Sequence, residues 1–90
     1  MAAGAVLDGR HESSICRISE GRERWRVAVQ TWPEQDRYRG RLLFRRDDAP
    51  LWDDTRETAP VLTGSTREDV LSIAYEMPED QLRRMLHSLG

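Results

Sequence analysis

The sequence RWRVAVQTW occupies residues 24–32, and RYRGRLLFRR follows at residues 37–46 after the four residues PEQD. Apolar and polar side chains alternate along both segments, which is the pattern of a strand that buries one of its faces. Two such strands joined by a short polar loop form an antiparallel hairpin. We therefore predict that this hairpin is the centre of the fold.

The register of the hairpin follows from the length of its loop. If residues 33–36 form a four-residue loop, Trp25 faces Phe44 across the two strands. Val27 then faces Leu42, so that apolar side chains meet on one face of the sheet, where such pairs stabilise strand pairing. A slip of one residue would send these side chains to opposite faces, and the alternation therefore predicts which face is buried.

The opposite face of the hairpin is predicted to be rich in arginine. Arginine beside an exposed aromatic ring can bind phosphates and stack on bases, which makes this face a candidate site for single-stranded RNA or DNA. It can equally dock on an acidic protein surface, or be the solvated face that an antiparallel sheet often presents to water. The candidate binding residues are Arg24, Arg26, Trp32, Arg39, Arg41 and Arg45.

The rest of the chain predicts one short strand and two helices. Residues 58–63 are expected to form an edge strand, because Pro60 lacks an amide donor. Ser65 and Glu68 have the spacing of a capping box at the start of a helix, and Pro78 suits the first position of a second helix. The predicted fold is α+β: a three-stranded antiparallel β-meander followed by two short C-terminal helices packed on one sheet face. The predicted core consists of Trp25, Val27, Val29, Leu42, Phe44, Val61, Leu62, Val70, Ile73, Ala74, Met77, Leu82, Met85, Leu86 and Leu89.

The start of the chain shows little periodicity. Residues 1–21 contain glycines and a polar run, and we predict a flexible or loosely docked N-terminal arm there. Ile15 and Ile18 lie on either side of Cys16, and these apolar residues make a short extra strand an alternative prediction for this segment. Residues 22–90 are predicted to form a single α+β domain.

The composition describes a small charged chain with one kind of basic side chain. The 90 residues carry a net charge of −2, and all 14 basic residues are arginine, which binds carboxylates and phosphates through a planar fork. Residues 10–46 contain 10 Arg against 5 acids, a balance of +5. Residues 47–90 contain 4 Arg against 10 acids, a balance of −6. The two halves can neutralise each other within one fold or present faces of opposite sign.

The predicted location follows from the apolar segments and the single cysteine. No segment approaches the roughly 20 apolar residues that a membrane span needs, and the first residues lack the basic start of a secretory signal. Cys16 has no second cysteine with which to form an internal disulfide. We therefore expect a cytoplasmic protein without membrane contact.

No arrangement of side chains in the sequence predicts catalysis or a metal site. His11, Cys16 and His87 are too far apart in the sequence to suggest a ligand set. The acidic loop that follows the hairpin lacks the spacing and the glycine of an EF-hand. We therefore expect neither a cofactor nor enzymatic activity. The acidic side chains that we interpret as a solvated loop are Asp47, Asp48, Asp53 and Asp54.

The two predicted helices resemble the apolar pattern of repressor-type helix-turn-helix motifs at residues 66–89. That resemblance implies DNA binding by the second helix. The usual glycine of the turn is missing, and Glu79 and Asp80 would lead the second helix toward phosphates of the same sign. The motif is therefore an alternative interpretation.

A second resemblance concerns the start of the first helix. Gly64, Thr66 and Glu68 resemble the pattern Gly-x-Thr-x-Glu with which a helix opens after a small sheet in HicB-like antitoxins. Any capped helix start shares these residues, so they assign the chain to no family.

Together these patterns predict a small non-catalytic cytosolic binding module that associates with a protein partner or with itself. An unpaired third strand and exposed apolar residues on so small a domain favour association. The alternative is nucleic-acid binding, either through the arginine-rich face with Trp32 or through a helix-turn-helix at residues 66–89.

Overall fold

The computed structural model of the protein describes residues 10–47, 55–58 and 61–89. These residues form an antiparallel five-stranded sheet followed by two helices, and both helices contribute to the core on one face of the sheet. The α+β prediction is confirmed. The strands are β1 (His11–Glu20), β2 (Glu23–Glu34), β3 (Arg37–Arg46), β4 (Thr55–Glu57) and β5 (Leu62–Gly64), and the helices are α1 (Arg67–Tyr75) and α2 (Glu79–Ser88).

The central hairpin of β2 and β3 is present, but its register differs from the predicted one by two positions. The turn contains Gln35 and Asp36 alone, because Glu34 already pairs with Arg37. Gln35 adopts the left-handed conformation, with a φ of 59°, which a glutamine seldom does. Val27 consequently pairs with Phe44. A shift of two positions keeps every side chain on its predicted face, since strand side chains alternate with a period of two.

The predicted core is confirmed at its centre and corrected at two margins. Trp25 and Phe44 are 1% and 0% exposed, so the predicted inner face of the hairpin is right. Val61 is exposed, because its neighbour Leu62 points inward and adjacent strand side chains point to opposite faces. Ile73 is also exposed, since it lies at the margin of the helical stripe that α1 buries. The buried core cluster consists of Ile18, Trp25, Val27, Val29, Leu42, Phe44, Leu62, Val70, Ala74, Leu82 and Leu86.

Ten residues of the predicted N-terminal arm form a strand of the sheet. Residues 11–20 form β1, which pairs with β2 along its length, and Ile18 is 2% exposed beside its partner Trp25. The register shifts between Ser14 and Cys16, which marks a β-bulge. A bulge breaks the period of two, and this explains why the segment shows no strand pattern. The predicted arm at residues 1–9 lies outside the described residues.

The strand predicted at residues 58–63 is present only as β5, and the short strand β4 lies before it, in the segment predicted as a loop; both pair with the same side of β3. Thr58 lies between β4 and β5, and its amide donates to the carbonyl of Leu42 at 3.0 Å. In return the amide of Leu42 donates to the Thr58 hydroxyl at 2.9 Å. The argument from Pro60 lies outside the described residues, as do Asp48, Asp53 and Asp54 of the acidic loop.

Both helix starts differ by one residue from the predicted ones. Thr66, and not Ser65, caps α1, and its hydroxyl accepts a hydrogen bond from the amide of Asp69 at 3.1 Å. Pro78 is the cap that precedes α2, and the helix itself begins at Glu79. Within the described residues no helix is long and apolar enough to cross a membrane.

Helix α1 lies close to the sheet because two strand positions carry no side chain. A β-carbon added to Gly40 of β3 would lie 2.7 Å from a methyl group of Val70. One added to Gly64 would lie 2.7 Å from the β-carbon of Asp69. Both separations are shorter than van der Waals contact, so the glycines set the distance between α1 and the sheet.

Candidate functional site

The predicted arginine-rich surface lies on the face of the sheet opposite the two helices, hereafter the outer face. The strand pairing sets Arg26 opposite Arg45 and Trp32 opposite Arg39. Arg41 lies between them on β3, opposite Gln30. The structure therefore brings these predicted residues together on neighbouring strands. The sixth, Arg24, continues the row toward the start of β2, where it is exposed and pairs with Ser19 of β1.

Carboxylates accompany the arginines of the outer face. Arg45 donates from both terminal nitrogens to the two carboxylate oxygens of Glu12, one of these hydrogen bonds measuring 3.0 Å. This bidentate hydrogen bond raises the pKa of Arg45, whereas partial burial lowers it. Arg45 is therefore a permanent cation whose plane is held in one orientation.

The Arg45–Glu12 pair crosses over the middle strand of the sheet. Glu12 pairs with Gln30 on one side of Ala28, while Arg45 pairs with Arg26 on the other side. The line joining Glu12 and Arg45 consequently passes above Ala28, whose small side chain leaves room for it. Ala28 is only 7% exposed and its cross-strand partner Leu43 only 2%, although no helix covers them. The aliphatic parts of long charged side chains can cover apolar surface in this way.

Three more arginines of the outer face are paired with acids. Arg41 donates through Nε to the amide oxygen of Gln30 at 2.8 Å, and one terminal nitrogen lies 3.3 Å from Glu57. Arg26 lies 3.2 Å from Asp47, and Arg39 lies 3.5 Å from Glu34. The arginines at the centre of the outer face are thus balanced by four carboxylates, and the predicted basic face is close to neutral there. The four acids are Glu12, Glu34, Asp47 and Glu57.

Trp32 is half-buried under charged side chains. The guanidinium carbon of Arg10 lies 4.7 Å from the centre of the Trp32 ring, and that of Arg41 lies 5.7 Å from it. Guanidinium groups at this distance are attracted to the ring by its negative face. The ring is therefore part of a fixed arrangement of arginine and aromatic side chains, in contrast to the exposed stacking platform that we expected.

The sequence missed the acidic half of the outer face. Glu12 lay in the predicted arm, and its contact with Arg45 joins residues that are 33 positions apart. Leu43 lies between Leu42 and Phe44, which both point to the helix-covered face, so a run of three apolar residues left the face of Leu43 ambiguous. A balance of charge between the basic and the acidic half of the chain was the one available signal, and it did not identify the individual pairs.

The helix-turn-helix alternative involves helices that are both packed on the sheet. Leu82 and Leu86 of α2 are buried in the core. Arg83 donates to the carbonyl oxygen of Ser19 at 2.8 Å, and it also pairs with Glu79 and Asp80. The basic side chain of Arg83 is therefore used to attach α2 to β1.

The candidate catalytic side chains do not come together. His11 begins β1, Cys16 lies at the bulge, and His87 contacts Glu20 at the far end of the strand. Burial, with a smaller contribution from the negative charge of Glu79, raises the pKa of the Cys16 thiol. Among the described residues, no three histidine, cysteine or acidic side chains form a group that could hold a metal ion.

The comparisons with known proteins give no information about function. No protein-family model, no curated protein and no solved structure matches it. The functional interpretation therefore begins from the outer face, where ion pairs and arginine–aromatic contacts occur on neighbouring strands.

Proposed function

We propose that this chain is a small non-catalytic binding module whose outer face binds another protein, either a different chain or a second copy. The observation that supports the proposal is the Arg45–Glu12 pair, which lies over a nearly dry apolar centre of Ala28 and Leu43. Protein interfaces are enriched in arginine and tryptophan, and their centres are apolar. The outer face has this composition and is held in place before any partner arrives.

The outer face is a broad side of the sheet. Strands β1, β2 and β3 contain 10, 12 and 10 residues and lie side by side. Both helices of the described residues pack against the opposite face. The outer face is therefore the side of the sheet that these helices leave uncovered.

The charge balance favours a protein over a nucleic acid. Affinity for nucleic acid comes mainly from cations that neutralise phosphates and release counterions. The central arginines of the outer face are already neutralised by carboxylates, which a phosphate would have to displace. Trp32 would also have to lose its guanidinium neighbours before a base could stack on it. A protein surface that carries both signs of charge can bind without displacing the carboxylates from the arginines or the guanidinium groups from Trp32.

Matched variants test the proposal. Trp32→Ala should weaken self-association in sedimentation equilibrium, or capture of a cross-linked partner, by at least tenfold, as expected for an aromatic side chain that anchors an interface. Ile73→Ala, which removes an exposed apolar side chain from α1, is the control and should leave association unchanged. A second pair consists of Arg41→Ala on the outer face, which is the test variant, and Arg84→Ala on α2, which is its control.

Three outcomes would count against the proposal. Loss of association in both members of a pair would indicate general unfolding, which circular dichroism would detect. Equal association in all four variants would exclude the outer face as the binding surface. A shift of single-stranded RNA or DNA at low salt that Arg41→Ala abolishes would transfer the function to nucleic-acid binding.

A cytoplasmic location is part of the same proposal. The chain has one cysteine and therefore no internal disulfide that an oxidising compartment would maintain. Fractionation of cells that express the tagged protein tests the location, and recovery with the membrane or exported fraction would contradict it.

A further inference from the structure

A second surface lies at the edge of the sheet and shares Arg26 with the outer face. Among the described residues no strand pairs with the outer side of β1. Two helix side chains reach the backbone of this strand. The Tyr75 hydroxyl donates to the carbonyl oxygen of Ser14 at 3.2 Å, and Arg83 donates to that of Ser19 at 2.8 Å. The strand between these two points contains the β-bulge.

A groove lies on each side of the bulge. On the helix side, a groove of about 230 Å³ is lined by Ile15, Met77 and Leu82 among other apolar side chains, with Arg17 and Glu79 also in its lining. On the outer side, a groove of about 400 Å³ is lined by Arg17 and Arg26 among others. Ile15, Cys16 and Arg17 contribute to both grooves, so the edge of β1 forms the ridge between them.

Two arginines that line the outer groove already form ion pairs with one carboxylate. One oxygen of Asp47 lies 3.2 Å from Arg26, and the other lies 3.6 Å from Arg17. Both arginines are partly exposed, with 42% of the Arg26 side chain and 66% of the Arg17 side chain accessible to solvent. An acidic side chain of another molecule can therefore approach the same pair and compete with Asp47.

We propose that the edge of β1 between Ser14 and Ser19 accepts an extended peptide of another protein as an added strand, with apolar and acidic side chains in alternation. Successive side chains of a strand point to opposite faces. An apolar side chain of the peptide enters the groove beside Met77, and the next, acidic side chain reaches Arg17 and Arg26. Backbone hydrogen bonds to the strand edge supply affinity, and the two grooves supply specificity, as in other cases of strand addition.

The test uses a labelled hexapeptide, acetyl-VEVEVE-amide, and the full chain in a fluorescence anisotropy titration. We expect saturable binding that weakens with salt, at least tenfold weaker binding to Arg17→Glu, and tighter binding to Asp47→Asn, which removes the competing carboxylate. Arg22→Glu makes the same charge change at the exposed turn before β2 and should bind as the unmodified chain does. Acetyl-VKVKVK-amide should not bind.

Backbone participation is tested separately. Methylation of alternate backbone nitrogens of the VEVEVE peptide should abolish binding if the peptide forms a strand, and amide hydrogens of residues 15–18 should gain protection from exchange when the unmodified peptide is bound. The proposal is overturned if neither the unmodified chain nor Asp47→Asn binds the peptide at millimolar concentration. It is also overturned if methylation or Arg17→Glu has no effect on binding. Trp32→Ala lies outside this site and should bind the peptide normally, so the result is independent of the outer-face proposal.

Discussion

The two faces of this sheet exclude water by different means. The helix-covered face buries Trp25 and Phe44 under a second layer of apolar side chains from α1 and α2. The outer face buries Ala28 and Leu43 to nearly the same degree, and its charged side chains form ion pairs around them, such as that between Arg45 and Glu12. A single sheet can thus have one face that is fixed by helices and another that is fixed by ion pairs. We expect the first to contribute most of the stability, and the second is the face that we propose for a partner.

The strongest test of this difference uses two neighbouring leucines that lie on opposite faces. Leu42 and Leu43 are 0% and 2% exposed. Leu42→Ala leaves a cavity between the sheet and the helices and should lower the free energy of unfolding by about 2–5 kcal/mol. Leu43→Ala should cost less, about 1–2 kcal/mol, because neither α1 nor α2 packs over this face and the gap can close or fill with solvent more easily.

Urea denaturation followed by tryptophan fluorescence measures both changes. Equal losses of free energy of unfolding in the two variants would show that the outer face is packed as rigidly as the core, and the two faces would then not differ. A larger loss in Leu43→Ala would show that the outer face is the more rigidly packed of the two.

The second test concerns the separation between α1 and the sheet. Gly40→Ala places a methyl group 2.7 Å from Val70, which must move together with α1. Overpacking of this kind should lower the free energy of unfolding by about 1–3 kcal/mol. Thermal denaturation measures the loss, and Ser72→Ala on the exposed side of α1 is a suitable control. An unchanged melting temperature in Gly40→Ala would mean that the helix is not held closely against the sheet.

The third test removes the ion pair from the outer face. Glu12→Gln keeps the shape of the side chain and should cost no more than about 1 kcal/mol, since both partners are partly exposed. Its larger effect should be on access to the centre of the face, so that the amides of residues 28 and 43 exchange faster with solvent. A double-mutant cycle with Arg45→Gln measures the coupling between the two side chains. If the coupling is zero and exchange is unaltered, the ion pair does not protect Ala28 and Leu43.

The smallest effect is expected at Cys16, on the edge between the two faces. A raised thiol pKa means that the folded chain holds this proton more tightly than the unfolded chain does. The associated stability is present below the ordinary thiol pKa and is lost as the pH rises through the raised pKa. Alkylation by iodoacetamide should accordingly be slower at pH 8 than for a small free thiol, and it should accelerate at higher pH.

The negative charge of Glu79 is the smaller of the two causes that raise the pKa of Cys16. Glu79→Gln should therefore speed this alkylation slightly, whereas Glu68→Gln should not. A rate at pH 8 equal to that of a free thiol would contradict the raised pKa.

The sequence alone determined which side chains lie on which face of the hairpin, and where the helices occur. Alternation and helical spacing are local properties, and they survive errors in register. The predicted loop was two residues too long, yet Trp25 and Phe44 still lie on the buried face because the resulting shift is even. The loop length could not be predicted, since it depends on the left-handed conformation of Gln35, a residue with no strong preference for it.

Tertiary structure decided the rest, because the remaining features depend on contacts between distant residues. β1 carries no regular pattern, and its place in the sheet is fixed by pairing with β2 around a bulge. The outer face was predicted as a row of arginines, but its charge balance required acids from β1 and β4 that no local pattern connects to it. Long-range pairing of this kind is set by the packing of the whole chain, in which Glu12 and Arg45 meet only once both have joined β2.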